Sequence, residues 1–284
     1  MKIGVAGYLP SDWRKIDVAA TRRVVEAGFS GGQVFIDRPL EANPLDVARV
    51  KKAFDDGGLI VAQTNGWYES LINPDDVTRA EGVRGMQALI HIGRQLDTRF
   101  VYVRPGSINQ RGHWWPHPDN HLQRTFDCLV TSMKQLSQTA QDEGVILGIE
   151  GHVVSTLNTA QRVRDLLDAV GSPALKHNLD PVNFIGTVED VWDTTQVLNQ
   201  LFDLLGHDLI AAHAKDCTIL DEHVVHIVEV VPCNGTLNYE VLMRRWEESC
   251  PEGYFLIEHL SDERVDLARK AIGDKARQLG IRLE

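Results

Sequence analysis

Four side chains of the kinds that bind divalent metals stand at the ends of four apolar runs of the chain. They are Glu150 in VILGIEGH, Asp180 in ALKHNLDP, His213 in DLIAAHAKD and Glu258 in YFLIEHL. A buried carboxylate is costly unless it is paired or metal-bound, so packing alone does not explain acids at such positions. If the four runs are neighbouring strands, these groups converge on one point. The sequence therefore predicts a metal site there, with a substrate in front of it.

The predicted ligand set contains two glutamates, one aspartate and one histidine. Such a hard, oxygen-rich set suits one Mn²⁺ or Mg²⁺ ion and tolerates Co²⁺ or Zn²⁺. Because no cysteine belongs to the set, we do not expect a structural zinc site. The alternative is that each acid pairs with a nearby lysine or arginine, or caps a helix. The recurrence of these residue types at four consecutive run ends favours the metal.

Other polar and aromatic residues follow the fourth apolar run. Arg104 ends RFVYVRPG, where it could bind a phosphate or carboxylate of a ligand or form a salt bridge at the barrel top. Trp114 and Trp115 lie in the loop that follows. An exposed indole there could pack against the face of a sugar, or it could anchor the loop.

The remaining histidines near these runs are not interpreted as metal ligands. The loop GHWWPHPDNH at residues 112–121 carries three of them, which we expect to face solvent rather than to form a second metal site. His177 and His259 have the opposite strand parity to Asp180 and Glu258. Because strand side chains alternate, we expect both histidines to face the helix layer.

The scaffold that must position these residues is indicated by eight short apolar runs. Segments of helical periodicity separate the runs, and several of these segments end at a glycine, such as Gly144 or Gly171. This alternation predicts a parallel sheet, and eight runs predict a closed (β/α)₈ TIM barrel, with an open doubly wound sheet as the alternative fold. The runs cover residues 2–7, 31–37, 59–66, 99–106, 145–152, 174–181, 208–216 and 254–260.

Strand alternation also predicts which residues lie beneath the ligands inside the barrel. The column beneath Asp180 is polar, because it contains Asn178 and Lys176. Beneath the other three ligands the predicted inward residues are apolar or small: Ile146, Gly148, Leu209, Ala211, Tyr254 and Leu256. Such columns are typical of a packed barrel floor below a functional top layer.

Length and composition agree with one α/β domain over residues 1–284. The formal net charge of −11 disfavours a nucleic-acid partner, which requires a basic face. No stretch reaches about 18 apolar residues and the first residues lack a signal-type apolar segment, so we expect no membrane partner. The four cysteines form no C-x-x-C pair, which favours reduced thiols and a cytoplasmic protein.

Three long connections leave the predicted carboxyl ends of strands, at residues 66–79, 106–118 and 217–240. Barrel enzymes keep their active sites on this face, so connections of this length predict a lid or a substrate pocket. The last connection contains HVVHIVEVVP, which predicts a small hairpin.

Several motifs in residues 145–260 resemble the sugar phosphate isomerase/epimerase family of the xylose isomerase-like TIM-barrel superfamily. They are GIEGH, SPALKHNLDPVN, HAKD, NGTLNYEVLMRRW and IEH, while the first four runs match only in outline. The resemblance implies that Glu150, Asp180, His213 and Glu258 are metal ligands.

The same resemblance places His152, Asn183 and Lys215 at positions that usually contact substrate. Many family members carry histidine where this chain has Asn183, and this departure leaves the substrate unassigned. Homo-oligomers are common in such families.

The resemblance further implies a metal-dependent isomerase or epimerase of a small keto sugar or polyol. A proton next to the carbonyl is removed to give an enediolate and is returned to the same carbon or to its neighbour. Glu150 and Glu258 stand on the fifth and eighth runs and can flank a substrate, so they are the hypothesised catalytic acid/base pair.

Three other functions stay open. A lyase or dehydratase acting on a keto-cyclitol or keto sugar would use the same scaffold and the same early chemistry. A DNA-repair endonuclease of the superfamily requires more metal ligands and a basic cleft, which the acidic composition disfavours. A sugar-binding protein without catalysis is disfavoured by the complete ligand set.

Overall fold

Eight parallel strands close into a barrel in the computed structural model, which describes residues 1–284. The strand Lys2–Val5 pairs with Gly31–Ile36 on one side and with Tyr254–Ile257 on the other, so the sheet has no free edge. Each of the eight predicted runs contains one barrel strand, which confirms the (β/α)₈ barrel; the open sheet is wrong. The barrel strands are β1 Lys2–Val5, β2 Gly31–Ile36, β3 Ile60–Gly66, β4 Phe100–Val103, β5 Leu147–Ile149, β6 Leu175–Leu179, β7 Leu209–Ala214 and β10 Tyr254–Ile257.

Helices connect successive strands around the barrel. Most of them begin at a side chain that accepts a hydrogen bond from the first turn, as Asp17 and Thr159 do. Gly144 and Gly171 end their helices in the left-handed conformation, as the sequence predicts. The helices are α1 Val18–Glu26, α2 Pro44–Gly57, α3 Asp76–Leu96, α4 Gln123–Glu143, α5 Ala160–Val170, α6 Val188–Trp192, α7 Thr194–Leu205, α8 Tyr239–Ser249 and α9 Asp262–Leu279. None of them combines the length and the hydropathy of a membrane span.

Two separate hydrophobic clusters make up the core. The larger contains 65 buried residues and fills the layer between the strands and the helices. The smaller fills the barrel interior and consists of Ala62, Phe100, Tyr102, Ala211, Tyr254 and Leu256, with Ile146 packed against it. The barrel interior beneath the four predicted metal ligands is therefore filled by apolar side chains.

The prediction that Leu209 faces the barrel interior is wrong. Leu209 packs in the outer cluster, and its neighbour Ile210 packs against the inner cluster instead. The reason is an irregular register between β6 and β7, in which His177 pairs with Leu209 but the next residue, Asn178, pairs with Ala211. The extra residue in β7 reverses the alternation below that point.

A two-stranded antiparallel hairpin stands on the carboxyl face of the barrel. It consists of β8 Asp216–Ile219 and β9 Ile227–Val230. The segment HVVHIVEVVP supplies only the second strand, while the first begins at Asp216, two residues after the end of β7, so the hairpin is longer than predicted. The Asp216 carboxylate anchors its base by accepting hydrogen bonds from the backbone N–H groups of Gly235 and Leu237.

The filled barrel interior predicts that alanine lowers the stability of the protein at Gly31 but raises it at Gly273. A Cβ at Gly31 in β2 would overlap the Tyr254 ring and lie 2.8 Å from the Ala62 Cβ. We expect Gly31→Ala to lower the free energy of unfolding by about 1–3 kcal/mol through overpacking. In the control Gly273→Ala on α9, the nearest atom lies 3.9 Å away on Leu283. The free energy of unfolding of that variant should rise by about 0.5–1 kcal/mol. Urea unfolding measures the free energy for both variants, and a Gly31→Ala variant as stable as the wild type would contradict the packed interior.

Candidate active site

The four predicted metal ligands meet at the carboxyl end of the barrel. Glu150, Asp180 and Glu258 directly follow β5, β6 and β10, and His213 lies in β7. One ligand atom from each residue can be chosen so that all four lie within 4.8 Å of one another. All four side chains are buried. The structure thus brings together residues that are far apart in sequence, because neighbouring parallel strands end at the same face.

The ring of His213 is oriented by residues on other strands. Its Nε2 lies 3.1 Å from the Oε1 atom of Gln63, and the Gln63 amide nitrogen donates to Gln33 at 2.7 Å. The Gln63 oxygen therefore accepts from the ring, which places the hydrogen on Nε2. The other nitrogen, Nδ1, lies 3.1 Å from Glu258 and 3.6 Å from Glu150. A metal-binding histidine is typically held in this way, with its second nitrogen donating to a fixed acceptor.

Glu150 is held by two neutral donors. The Tyr102 hydroxyl donates to its Oε2 atom, and the Asn183 amide donates to its Oε1 atom. Burial and the nearby charge of Glu150 raise the pKa of Tyr102 well above its ordinary value, so the phenol stays a donor. Both carboxylate oxygens are thereby fixed in direction.

Sequence reasoning missed these supporting residues. Gln33, Gln63 and Tyr102 stand inside apolar runs, GGQVFID, LIVAQTNG and RFVYVRPG. A polar residue in the middle of a buried run was the available signal. Its partner could not be read from the chain, because Gln63 and His213 are 150 residues apart.

The charged groups of the cluster shift one another's pKa values. Burial raises the pKa of Glu150. Burial alone would also raise the pKa of Glu258, but the positive charges of His213 and Lys215 hold it well below its ordinary value. Burial alone would lower the pKa of His213, whereas the carboxylates of Glu258 and Glu150 raise it to about 10. Three buried acids therefore draw positive charge into the cluster.

Lys215 lies inside the cluster rather than above it. Its Nζ atom is 2.7 Å from the Oδ2 atom of Asp180 and 2.8 Å from the Oε1 atom of Glu258. Both carboxylate oxygens of Asp180 are fully buried and accept no hydrogen bond, although Oδ2 lies beside the Lys215 ammonium. A buried acceptor without a partner requires an explanation. A divalent cation among the four ligand atoms supplies one, so the residues present fit a metal.

A cavity of about 430 Å³ opens above the cluster. Its volume lies within the range of ligand pockets, about 300–1,000 Å³. All five residues predicted to contact substrate line it: Arg104, Trp114, His152, Asn183 and Lys215. Glu150 and Glu258 form part of the floor, and Glu229 from the hairpin and His259 also line the cavity.

The two tryptophans of the long loop have different positions. Trp114 packs against His152, with ring centroids 5.7 Å apart, and borders the cavity. Trp115 does not border it; the Arg111 guanidinium stacks over its ring at 3.7 Å. Of the two candidate sugar platforms, Trp114 is therefore the one at the cavity.

Two histidine expectations are wrong. His113 is buried rather than solvent-facing, because its loop folds back so that the ring lies beside Trp67 and Tyr68, with Nε2 2.9 Å from the Tyr68 carbonyl. His259 borders the cavity and lies 3.2 Å from Glu229 instead of facing the helices. Its φ of 59° breaks the strand alternation directly after β10. His177 does pack against Phe184 of the outer core, as expected.

Arg104 forms no ion pair with any acid, so the predicted alternative of a barrel-top salt bridge is wrong. Its guanidinium donates to the Gly66 carbonyl and lies over the rings of Tyr68 and Trp67.

Comparison with known proteins assigns the family. The family model described as xylose isomerase-like TIM barrel matches residues 21–279. The chain therefore belongs to the xylose isomerase-like TIM barrel family, as its motifs predict. No curated protein sequence matches the chain.

Solved structures with the same fold have low sequence identity to the chain. The apo crystal structure of 3-keto-D-glucoside 4-epimerase YcjR from E. coli is 19% identical, with a TM-score of 0.71, and the match covers 96% of this chain and 98% of YcjR. D-psicose 3-epimerase, crystallised in the presence of D-fructose, is 18% identical, with a TM-score of 0.73 and coverage of 99% and 100%. A xylose isomerase-like TIM barrel protein from Mycobacterium smegmatis in complex with magnesium is 14% identical, with a TM-score of 0.73 and coverage of 98% and 96%. At these identities the likeness establishes the shared fold.

The buried position of His113 predicts that acid destabilises the protein. A histidine titrates near 6.5 in an unfolded chain. Burial, together with the charge of Arg104, lowers the pKa of His113 to about 3 in the folded protein. Between these values the unfolded state binds more protons, so the free energy of unfolding falls as the pH falls below about 6.5. The loss approaches about 1.4 kcal/mol per pH unit for one such histidine.

His113→Gln retains a donor for the Tyr68 carbonyl and removes this titration. We expect its free energy of unfolding, measured in urea between about pH 6 and pH 4, to fall less steeply than that of the wild type. The free energy of unfolding of His113→Gln should still rise with pH, because His152 and His177 remain. Burial lowers the pKa of each of these two histidines to about 4. The exposed control His121→Gln should keep the wild-type slope. Equal slopes for His113→Gln and the wild type would contradict the prediction.

Proposed function

We propose that the protein is a divalent-metal-dependent isomerase or epimerase of a small keto sugar or polyol. The observation that carries this proposal is the convergence of four ligand atoms within 4.8 Å beneath a ligand-sized cavity. Two structurally similar proteins, YcjR and D-psicose 3-epimerase, are named as sugar epimerases, which supports the same class of substrate.

The metal would be held by one carboxylate oxygen each from Glu150, Asp180 and Glu258 and by Nδ1 of His213. This donor set suits Mn²⁺ or Mg²⁺, and the M. smegmatis relative is a magnesium complex. When bound, a divalent ion acts as a Lewis acid that polarises the substrate carbonyl and makes the neighbouring C–H bond more acidic.

The two glutamates are proposed as the proton-transfer pair. Glu150 follows β5 and Glu258 follows β10, three steps apart in the barrel order, so they reach the cavity from different sides. One carboxylate removes the proton next to the carbonyl, which gives an enediolate, and the other returns a proton. Return to the opposite face of the same carbon is epimerisation; return to the neighbouring carbon is isomerisation. Because the two carboxylates are held in fixed positions beside the substrate, proton transfer does not require a diffusional encounter with a base.

The residues that line the cavity are assigned different contacts with the substrate. We assign Trp114 and His152 to one wall, where the indole offers an apolar face to the sugar carbons. Lys215 lies between Asp180 and Glu258 and can donate to a substrate hydroxyl from there. Asn183 directs Glu150 toward the cavity and lines it as well.

Substitution of either glutamate tests the acid/base roles. We expect Glu150→Gln and Glu258→Gln each to lower turnover by about 10²–10⁴-fold, because an amide cannot accept the substrate proton. The assay is deuterium incorporation from D₂O into D-psicose, D-fructose, D-tagatose and L-ribulose, with Mn²⁺ content verified in each variant. Exposed Glu248→Gln on α8 carries the same chemical change and should behave as wild type.

Near-normal turnover with metal bound, in either variant, would remove that residue from the proton-transfer pair. Deuterium incorporation without loss of water supports the isomerase or epimerase. Loss of water from the substrate would indicate the lyase or dehydratase instead.

The orientation of His213 tests the metal site without any substrate. Gln63→Leu removes the acceptor of the ring Nε2–H, so we expect Mn²⁺ affinity to fall by about 10–100-fold in calorimetric titrations of the chelator-treated protein. The neighbouring Thr64 is the matched control, because its buried hydroxyl has no hydrogen-bond partner. Thr64→Val should therefore bind Mn²⁺ as the wild type does. Equal affinities of Gln63→Leu and Thr64→Val would contradict metal binding through His213.

A further inference from the structure

Arg104 is a buried cation without an acid partner. The residue is 6% exposed, and it forms no ion pair, while its Nε atom is buried and without a hydrogen-bond partner. Burying a charge that lacks a counter-charge is unfavourable by several kcal/mol. Because Arg104 lines the cavity above the metal cluster, the missing counter-charge can be supplied by a ligand.

The surroundings hold the guanidinium in place without neutralising it. Its Nη2 donates to the Gly66 carbonyl, and the charge lies 4.4 Å from the centre of the Tyr68 ring and 5.5 Å from that of Trp67. The Arg104 backbone N–H donates to the Tyr68 hydroxyl, and His113 contacts the Tyr68 carbonyl. Aromatic faces and a carbonyl stabilise a cation and fix its orientation. A preorganised guanidinium of this kind loses little entropy when it binds an anion.

The other positive groups of the cavity are already paired. Lys215 contacts Asp180 and Glu258, and His259 contacts Glu229. Together with Lys215, a divalent ion would balance the three acids of the cluster. Arg104 therefore remains as the cavity cation whose charge the protein leaves uncompensated.

The guanidinium of Arg104 is displaced from the metal cluster around the barrel. Arg104 follows β4 at the level at which Glu150 follows β5, because Val103 pairs with Ile149. Its Nη2 donates to the Gly66 carbonyl at the end of β3, on the other side of β4 from β5. Two strand spacings separate β3 from β5, about 10 Å. A substrate whose carbonyl lies at the cluster would thus present to Arg104 a group several bonds away from the reacting carbon.

We propose that this group is a carboxylate, so that the substrate is an acidic keto sugar rather than a neutral one. The inference rests on the proposed function and narrows its substrate class. A planar guanidinium matches a carboxylate through two parallel N–H···O bonds. A phosphate ester usually collects more donors, such as a helix N-terminus or several cations. The cavity offers one uncompensated guanidinium, which favours the carboxylate.

The test compares three substrates that differ only at the end remote from the carbonyl. They are D-fructose, its C6 carboxylate derivative and its C6 phosphate ester. With Mn²⁺ present, we expect deuterium incorporation into the carboxylate derivative to exceed that into D-fructose by on the order of 100-fold in kcat/KM. Calorimetric binding of the same three compounds provides a readout that does not depend on turnover.

Arg104→Gln should lose on the order of 100-fold for the carboxylate derivative, mainly through KM, and this loss should exceed its loss for D-fructose by at least about 10-fold. Arg104→Lys keeps the charge but not the fork, so it should recover part of that loss. Arg111→Gln is the control, since Arg111 is an exposed arginine of the same loop region that stacks on Trp115. Circular dichroism verifies that the variants are folded.

The outcomes separate this inference from the proposed function. Exchange of D-fructose and its carboxylate derivative at equal rates, or an equal loss of both in Arg104→Gln, overturns the carboxylate and leaves the isomerase or epimerase standing. A preference for the phosphate ester overturns the carboxylate in favour of phosphate. Arg104-dependent binding of the carboxylate derivative without any exchange supports the anion site and contradicts the proposed function. Failure of all three compounds to bind overturns the inference.

Discussion

The mutual repulsion of three buried carboxylates is the constraint on which the rest of the site depends. Glu150, Asp180 and Glu258 converge below the cavity, where water cannot screen their charge. Lys215 places a positive charge among them, and His213 adds a second one in its protonated form, which gives way when Nδ1 binds a cation. A barrel supplies this arrangement directly, since successive parallel strands end at one face and each carries one group to the same point. The apolar interior beneath the cluster excludes water from below.

Neutral side chains then give the charged ones a direction. Tyr102 and Asn183 donate to different oxygens of Glu150, and Gln63 accepts from the far nitrogen of His213. These contacts add no net charge to an environment that is already strongly charged. They come from β4, β3 and the turn after β6, so the geometry of the cluster depends on the closure of the whole ring. A local change in the register of one strand would therefore shift the side chains of Glu150 or His213 on other strands.

The sequence predicted the barrel strands and the four convergent residues for the same physical reason. An acid at the end of a buried apolar run has few explanations, and alternation with helices leaves few folds in which such ends meet. What failed depended on contacts that no local pattern contains. Ile210 replaces Leu209 inside the barrel because β7 has an irregular register with β6, and His259 enters the cavity because its φ is 59°. His113 is buried by residues 45 positions earlier in the chain.

Lys215 and Arg104, the lysine and the arginine that line the cavity, differ in the surroundings that suit their side chains. A lysine ammonium is a compact charge that can lie between two carboxylates, as Lys215 does between Asp180 and Glu258. A guanidinium is planar and weakly hydrated, so it can be stabilised by aromatic faces, as Arg104 is by Tyr68. Exchanging the two residues would leave the net charge unchanged but remove both sets of contacts, since a guanidinium between the acids would crowd the cluster and an ammonium on the rings would lose the planar fork. The charge within the cluster and the charge at the cavity wall are therefore carried by different residues, which follow β7 and β4.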